Sequence, residues 1–249
     1  MVMRTYPKQA RPRRMRMAAM LTAALAVLGG TASAATPDLS GVWALAKPQV
    51  LLAPADGGTI PFTADGRKAL EANQAAAAKG DYSFDPTMST CASPGQPRLM
   101  LTPKPFAIFQ EPSMLTILYQ WNDVFRQIKL GKQLRDPLMS ADAQDFPASQ
   151  GYSAANWSGD TLVVTTTGLT DSRLLDNLLP SSSDLTLTEH LSLRDHDTLV
   201  DRITIADADD FTKPWDTVLT YQRQPDSLLP FPEDVCLDRV RAKQPALPR

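Results

Sequence analysis

The chain has few of the residues on which most metal and cofactor sites depend. Its 249 residues include two His and two Cys. His190 and His196 lie far along the chain from either Cys and from any paired carboxylates, so no zinc site is predicted. The sequence contains no Gly-x-Ser-x-Gly nucleophile elbow, no P-loop and no dinucleotide fingerprint. We therefore expect neither a metal nor a cofactor, and any functional residues must be sought among polar side chains that fall on apolar elements.

The apolar segment near the N-terminus is too short for a membrane anchor. Residues 1–34 carry six Lys or Arg and no acidic residue, followed by an apolar run at 18–28 and small residues up to Ala34. This order is that of a cleavable signal peptide, and a bilayer span needs about 20 apolar residues. We predict cleavage before Ala35, no stable membrane insertion, and a periplasmic or secreted protein. Arg13-Arg14 leaves twin-arginine export open beside the general secretory route.

Positive charge is scarce once this signal is removed. Six of the 25 Lys and Arg residues lie in it, which leaves 19 against 27 Asp and Glu. Because each phosphate contact needs a cation, nucleic acid and anionic membrane surfaces are not expected partners. Cys91 and Cys236 both lie in the mature part, where an oxidising compartment favours a disulfide between them, with two free thiols as the alternative.

The mature chain, residues 35–249, is predicted to form a single mainly β domain. A surface helix is expected over 63–79, with Thr63 as N-cap and Gly80 as the stop signal. A short entry strand is expected at 37–43, and runs of period two predict strands at 106–111, 114–121, 124–130, 161–167, 185–194, 199–205 and 217–223. Tight turns are expected at 121–123, 158–160 and 195–197, and long loops at 135–153 and 171–184. The pattern favours an antiparallel up-and-down β-barrel or a strongly curved sandwich, with one N-terminal surface helix.

Three ordered motifs resemble a known family. They are DLSGVW at 38–43, WSGDTLVV at 157–164 and FTKPW at 211–215. Together they are similar to a family of exported bacterial proteins with a lipocalin-like β-barrel and no generally established activity. The resemblance implies that 35–249 is one lipocalin-like barrel domain. The family often carries His at two positions that are Tyr152 and Thr186 here, so this chain cannot use such a pair.

Charged residues interrupt the apolar faces of three predicted strands. In the strand at 185–194 every second residue is Leu except Glu189, and the next strand places Asp201 in the same phase. Arg126 falls among Val and Ile, and Tyr119 and Trp121 share the apolar face of their strand. Because an unpaired buried charge is costly, we expect Arg126 to contact Glu189, Asp201 or both.

Two interpretations of this interior set stay open. The residues could form a structural ion pair, or they could line the polar end of an apolar pocket. In the second case the protein would bind a small hydrophobic or aromatic molecule. Arg126, Glu189 and Tyr119 would then fix the polar end of that molecule, and Trp121 and Trp157 would supply aromatic contacts.

An enzyme without a cofactor is the competing hypothesis. Glu189 or Asp201 would act as general base and Tyr119 or Tyr152 as acid, in a lyase, isomerase or hydrolase acting on an aromatic or lipid-like substrate. A third hypothesis is an envelope protein that acts through its loops, with an inert barrel.

Overall fold

Nine strands make up most of the structure. In a computed structural model of the protein, residues 36–132, 146–171 and 174–247 are described. The predicted signal peptide and residues 135–145 of the predicted loop at 135–153 lie outside them. The strands are β1 Gly41–Leu45, β2 Phe106–Glu111, β3 Met114–Tyr119, β4 Phe125–Leu130, β5 Tyr152–Ser158, β6 Thr161–Thr167, β7 Thr186–Asp195, β8 Thr198–Ala206 and β9 Trp215–Gln224.

The strands close into a barrel in which each strand pairs with its neighbours in sequence, and β9 returns to β1. The up-and-down β-barrel predicted from the sequence is thus confirmed. One pairing departs from the antiparallel pattern, because β4 and β5 run parallel, with Ile128 opposite Ser153. Parallel neighbours cannot be joined by a tight hairpin, and these two strands are separated by the 21 residues 131–151 in the sequence.

Strand β5 is the one strand that the sequence patterns did not predict. Its residues Tyr152–Ser158 contain Ser, Ala and Asn in place of alternating large apolar residues. The strand forms because it pairs with β6 across the Gly159-Asp160 turn, from Tyr152 opposite Thr167 to Ser158 opposite Thr161. The tight turn had been predicted, whereas the strand on its N-terminal side had no propensity signal of its own.

The barrel interior follows from the strand register. Residues directly opposite each other on paired strands share a face, and the buried residues form one continuous set around the barrel. Ile117 is opposite Arg126, Val164 is opposite Glu189, and Glu189 is opposite Ile203. Asp201 lies between Leu191 and Leu219 on the neighbouring strands. Most residues of the opposite phase are only half-buried or exposed.

The helices lie outside the sheet, where long connections cover one end of the barrel. They are α1 Ala64–Ala78, α2 Pro86–Thr90 and α3 Cys236–Arg241. Thr63 caps α1 by accepting from the N–H of Gly66 at 3.0 Å, and Gly66 is the buried residue of this helix. The predicted surface helix and its N-cap are therefore confirmed. Every helix in the described part of the chain is too short or too polar to span a membrane.

The predicted disulfide is present between Cys91 and Cys236, with 5.9 Å between the two Cα atoms. Cys91 follows α2 in a left-handed conformation with φ of 57°. The segment after it contains the 3-10 helix Arg98–Leu101, whose four residues are all buried. This segment, 92–102, contacts the barrel interior through Gln96 and Met100.

Candidate interior site

A buried ion pair dominates the polar part of the interior. Arg126 on β4 and Glu189 on β7 are each about 1 % exposed. Nη1 of Arg126 donates to Oε1 of Glu189 at 2.9 Å, and Nη2 donates to Oε2, which makes the pair bidentate. Nε and Nη2 also donate to the Ser153 hydroxyl at 3.2 and 3.1 Å, and Nη2 donates to Thr166 at 2.7 Å. Each guanidinium nitrogen thus has a partner within the barrel wall.

Asp201 has very different surroundings. It is fully buried, and neither carboxylate oxygen has a hydrogen-bond partner among the described residues. Burial raises the pKa of Asp201 well above its usual range, and the negative charge of Glu189 raises it further, while Arg126 opposes this shift. Because an isolated buried carboxylate costs far more than the neutral acid, these surroundings favour the protonated form of Asp201.

Two tyrosines complete the polar surface. The Tyr119 hydroxyl accepts from Nε2 of Gln96 at 3.1 Å, and burial raises the pKa of Tyr119 to about 12. The Tyr221 hydroxyl donates to the carbonyl of Met100 at 3.5 Å, at the long limit of a hydrogen bond. Burial raises the pKa of Tyr221 well above its ordinary value. Both phenols therefore stay neutral at physiological pH.

The expected contact of Arg126 is made with Glu189 and not with Asp201. Although burial disfavours its charge, the charge and hydrogen bonds of Glu189 raise the pKa of Arg126. The ionised pair is neutral as a unit, and protonated Asp201 adds no charge to it. The interior surface therefore offers hydrogen-bonding groups without net charge.

Tyr152 and Trp121, both predicted for the site, lie elsewhere, whereas Trp157 is in the inward phase of β5, opposite Leu162, and packs against the core. Tyr152 occupies the opposite phase of β5 from Ser153, and its hydroxyl donates to the carbonyl of Phe146 at 2.5 Å. Trp121 lies in the turn after β3, and its indole N–H donates to the carbonyl of Ala246 at 3.0 Å. Trp157 is half-buried near the β5–β6 turn. None of the three has a hydrogen bond to Arg126, Glu189 or Asp201 in the described structure.

Some site residues were missed from the sequence. Ser153 is on the unpredicted strand β5, so no pattern marked it. Thr166 continues the phase of Leu162 and Val164, and Tyr221 continues that of Thr217 and Leu219, so alternation could have found both. Gln96 enters from the irregular segment 92–102, where no periodicity exists to signal it.

A pocket of about 220 Å³ lies among the segments outside the sheet and offers a second candidate site. Leu51, Met88 and Leu178 contribute to its apolar wall, and Arg98 and Asp85 to its polar one. Arg98 donates twice to the Asp85 carboxylate, at 2.8 and 2.6 Å, and both side chains are buried. Because these charges already satisfy each other, this pocket has no counterpart of Asp201.

Comparisons with known proteins add little beyond the fold. The chain matches no protein-family model and no curated protein sequence. Among solved structures it is similar to two mutants of the fluorescent protein UnaG, each at 15 % identity. The first match covers 75 % of this chain and 96 % of the other with a TM-score of 0.34, and the second covers 74 % and 95 % with a TM-score of 0.32.

Proposed function

We propose that this chain is an exported barrel protein that binds a small hydrophobic or aromatic molecule in its interior. The observation that carries the proposal is Asp201, a fully buried carboxyl group with neither oxygen hydrogen-bonded among the described residues. Buried polar groups in native proteins are nearly always paired, so an unpaired one needs a functional explanation. A bound molecule that supplies the partner provides it.

The dimensions of the barrel support this function. Eight strands already enclose enough space for side chains or for one small ligand, and the diameter grows with strand number. This barrel has nine strands. Its inward positions are mostly apolar, and small side chains at Ser153, Ala155 and Thr217 reduce the volume that the wall itself fills. Apolar walls with few polar groups are typical of small-molecule sites.

The predicted signal peptide and the disulfide support an exported protein. Disulfides persist in oxidising compartments such as the periplasm, and Cys91 and Cys236 are joined here. We place the working protein in the periplasm or outside the cell.

Blocking the interior tests the proposal. Thr217 faces the interior opposite Ile203, one inward position from Leu219, the partner of Asp201, and Thr220 on the same strand faces outward. We expect wild-type protein to retain lipophilic compounds, visible by mass spectrometry of an organic extract, and to bind a neutral naphthalene-based fluorescent probe. Thr217→Phe should lose both properties, and Thr220→Phe, the matched control, should keep them.

Three results would contradict binding in the interior. If a folded Thr217→Phe protein binds as wild type does, the interior is not the binding site. If Leu178→Trp loses binding instead, the site is the pocket of about 220 Å³ outside the sheet, which Leu178 lines. If wild-type protein neither retains a compound nor binds the probe, the proposed function is wrong.

An enzyme without a cofactor remains the second candidate, favoured by the protonated state of Asp201. A neutral carboxyl in a solvent-shielded interior near Tyr221 is suited to proton transfer. Glu189 is already paired with Arg126. Tyr152 lies on the other face of β5. Asp201 is therefore the preferred acid or base. Turnover of a bound compound that is lost in Asp201→Asn would support this candidate, whereas unchanged recovery of that compound would support a carrier.

A further inference from the structure

The unpaired polar atoms of the interior belong to groups that carry no charge. Besides the two oxygens of Asp201, these atoms are Oε1 of Gln96 and Nε1 of Trp215, both buried and without partners in the described structure; a further such atom, Nε of Arg239, is on α3 and not on a barrel strand. The first is a neutral acceptor and the second a neutral donor. Trp215 lies in the inward phase of β9, and Gln96 reaches the interior at Tyr119. The groups still able to bind a ligand are thus uncharged.

Arg126, the buried cation on β4, is already neutralised. Arg126 directs its three nitrogens to Glu189, Ser153 and Thr166, with the bidentate contact to Glu189 as the strongest interaction. An anionic ligand could use Arg126 only by displacing Glu189, which would leave that carboxylate buried and unpaired. Ligand carboxylates and phosphates are therefore disfavoured.

A cationic ligand is disfavoured for a different reason. To pair with it, Asp201 would have to lose a proton in the presence of Glu189 from β7 and the two phenols of Tyr119 on β3 and Tyr221 on β9. Arg126 on β4 offsets part of this cost, but its charge would itself repel a cation. A neutral partner requires neither ionisation nor an additional buried charge.

A protonated carboxyl group presents one donor and one acceptor side by side. The complementary group on a ligand also has an acceptor next to a donor, as in a primary carboxamide, a lactam or an imide. We propose that the ligand of this barrel is a hydrophobic or aromatic molecule with an uncharged amide-like group, which pairs with the Asp201 carboxyl. This inference rests on the proposed binding function and specifies its ligand class.

Three probes of one carbon skeleton test the inference at neutral pH: 2-naphthamide, 2-naphthoate and 2-naphthylmethylamine. Calorimetry on full-length exported protein should show that the amide binds wild type at least about tenfold more tightly than the anion or the cation, because mismatched polar groups would be buried unpaired. Asp201→Leu should lose this preference. Asp184→Leu, a substitution of an exposed acid, should preserve it.

A second variant guards against misfolding of Asp201→Leu. Asp201→Asn keeps a donor beside an acceptor without a titratable proton, so it should bind the amide within a few-fold of wild type. A tenfold loss in Asp201→Asn, or a preference that survives in folded Asp201→Leu, would overturn the inference. Naphthoate or the amine binding as tightly as the amide would also overturn it while leaving the binding function intact. Only failure of all three probes to bind wild type counts against the binding function itself.

Discussion

Two carboxylates on adjacent strands of this barrel are buried in opposite ways. Glu189 is ionised and held by a bidentate contact with Arg126, whereas Asp201 has no partner in the described structure. Burying an ion pair costs little when all its hydrogen bonds are made, whereas a lone buried carboxyl group avoids the cost of a buried charge by keeping its proton. A buried carboxyl group thus forms a structural ion pair at one position and is the proposed binding or proton-transfer group at the other.

The raised pKa of Asp201 predicts a pH-dependent stability that a neutral substitute should lack. Because the folded pKa is raised above the unfolded value of 3.8, the folded state holds a proton that the unfolded chain releases. Asp201 therefore contributes its full stabilisation below pH 3.8, and this stabilisation is lost as pH rises through the folded pKa. Asp201→Asn should remove a slope of at most about 1.4 kcal/mol per pH unit.

Urea unfolding at several pH values between 5 and 8 measures this effect. The stability of wild type should decline relative to Asp201→Asn as pH increases within the titration range. Asp216→Asn, at a position about 40 % exposed, serves as the control and should leave most of the wild-type slope. Parallel curves for wild type and Asp201→Asn across the whole range would show that Asp201 does not retain its proton on folding.

Strand phase could be read from the sequence, and pairing partners could not. The leucines around Glu189 and the Ile residues after Asp201 correctly predicted that both acids face the interior. Which of them meets Arg126 depends on the register around the closed barrel and on the parallel β4–β5 pairing, which places Ser153 within reach of Arg126. That pairing is a tertiary outcome without a local sequence signal, so the choice between Glu189 and Asp201 stayed open.

At the level of elements, α1 is held by the connection between β8 and β9. The N–H of Thr63 donates to the carbonyl of Asp210 at 2.9 Å, and the Thr63 hydroxyl donates to the carbonyl of Asp209 at 2.7 Å. Gly66, one turn into the helix, sits so close to Asp210 that an added Cβ would lie 2.3 Å from its carbonyl oxygen. The helix was predictable from capping and Ala content, but this close contact was not.

Gly66→Ala is therefore predicted to destabilise the protein, although Ala is the better helix former by about 1 kcal/mol. The clash is with backbone, so the helix or the loop must shift, and we expect a net loss of about 1–3 kcal/mol. Thermal and urea unfolding will measure it. Ala75→Gly on the exposed side of α1 should lose about 1 kcal/mol from propensity alone. A gain in stability for Gly66→Ala would mean that α1 does not pack against Asp210.

At the scale of the whole molecule, the disulfide joins the start of segment 92–102, which contacts the barrel interior, to the C-terminal segment that begins with α3. Cys91 precedes Gln96 and the buried 3-10 helix, and Cys236 begins α3, where its N–H donates to Oδ1 of Asn122 at 2.9 Å. Further along, the carbonyl of Ala246 accepts from the indole of Trp121 and from Arg239. The bond therefore joins two segments that each contact the barrel independently.

Removal of this bond should act mainly on the unfolded chain. The cysteines are 145 residues apart, and in the chain-entropy model opening so long a loop costs about 5 kcal/mol. The variant with both Cys91→Ala and Cys236→Ala should thus lose up to that amount in urea unfolding and melt at a lower temperature. A reductant should lower the melting temperature of wild type but leave the double variant unchanged. Thiol labelling verifies that the wild type is fully reduced. If the reduced and oxidised proteins then melt at the same temperature, non-covalent contacts alone hold segment 92–102 in place.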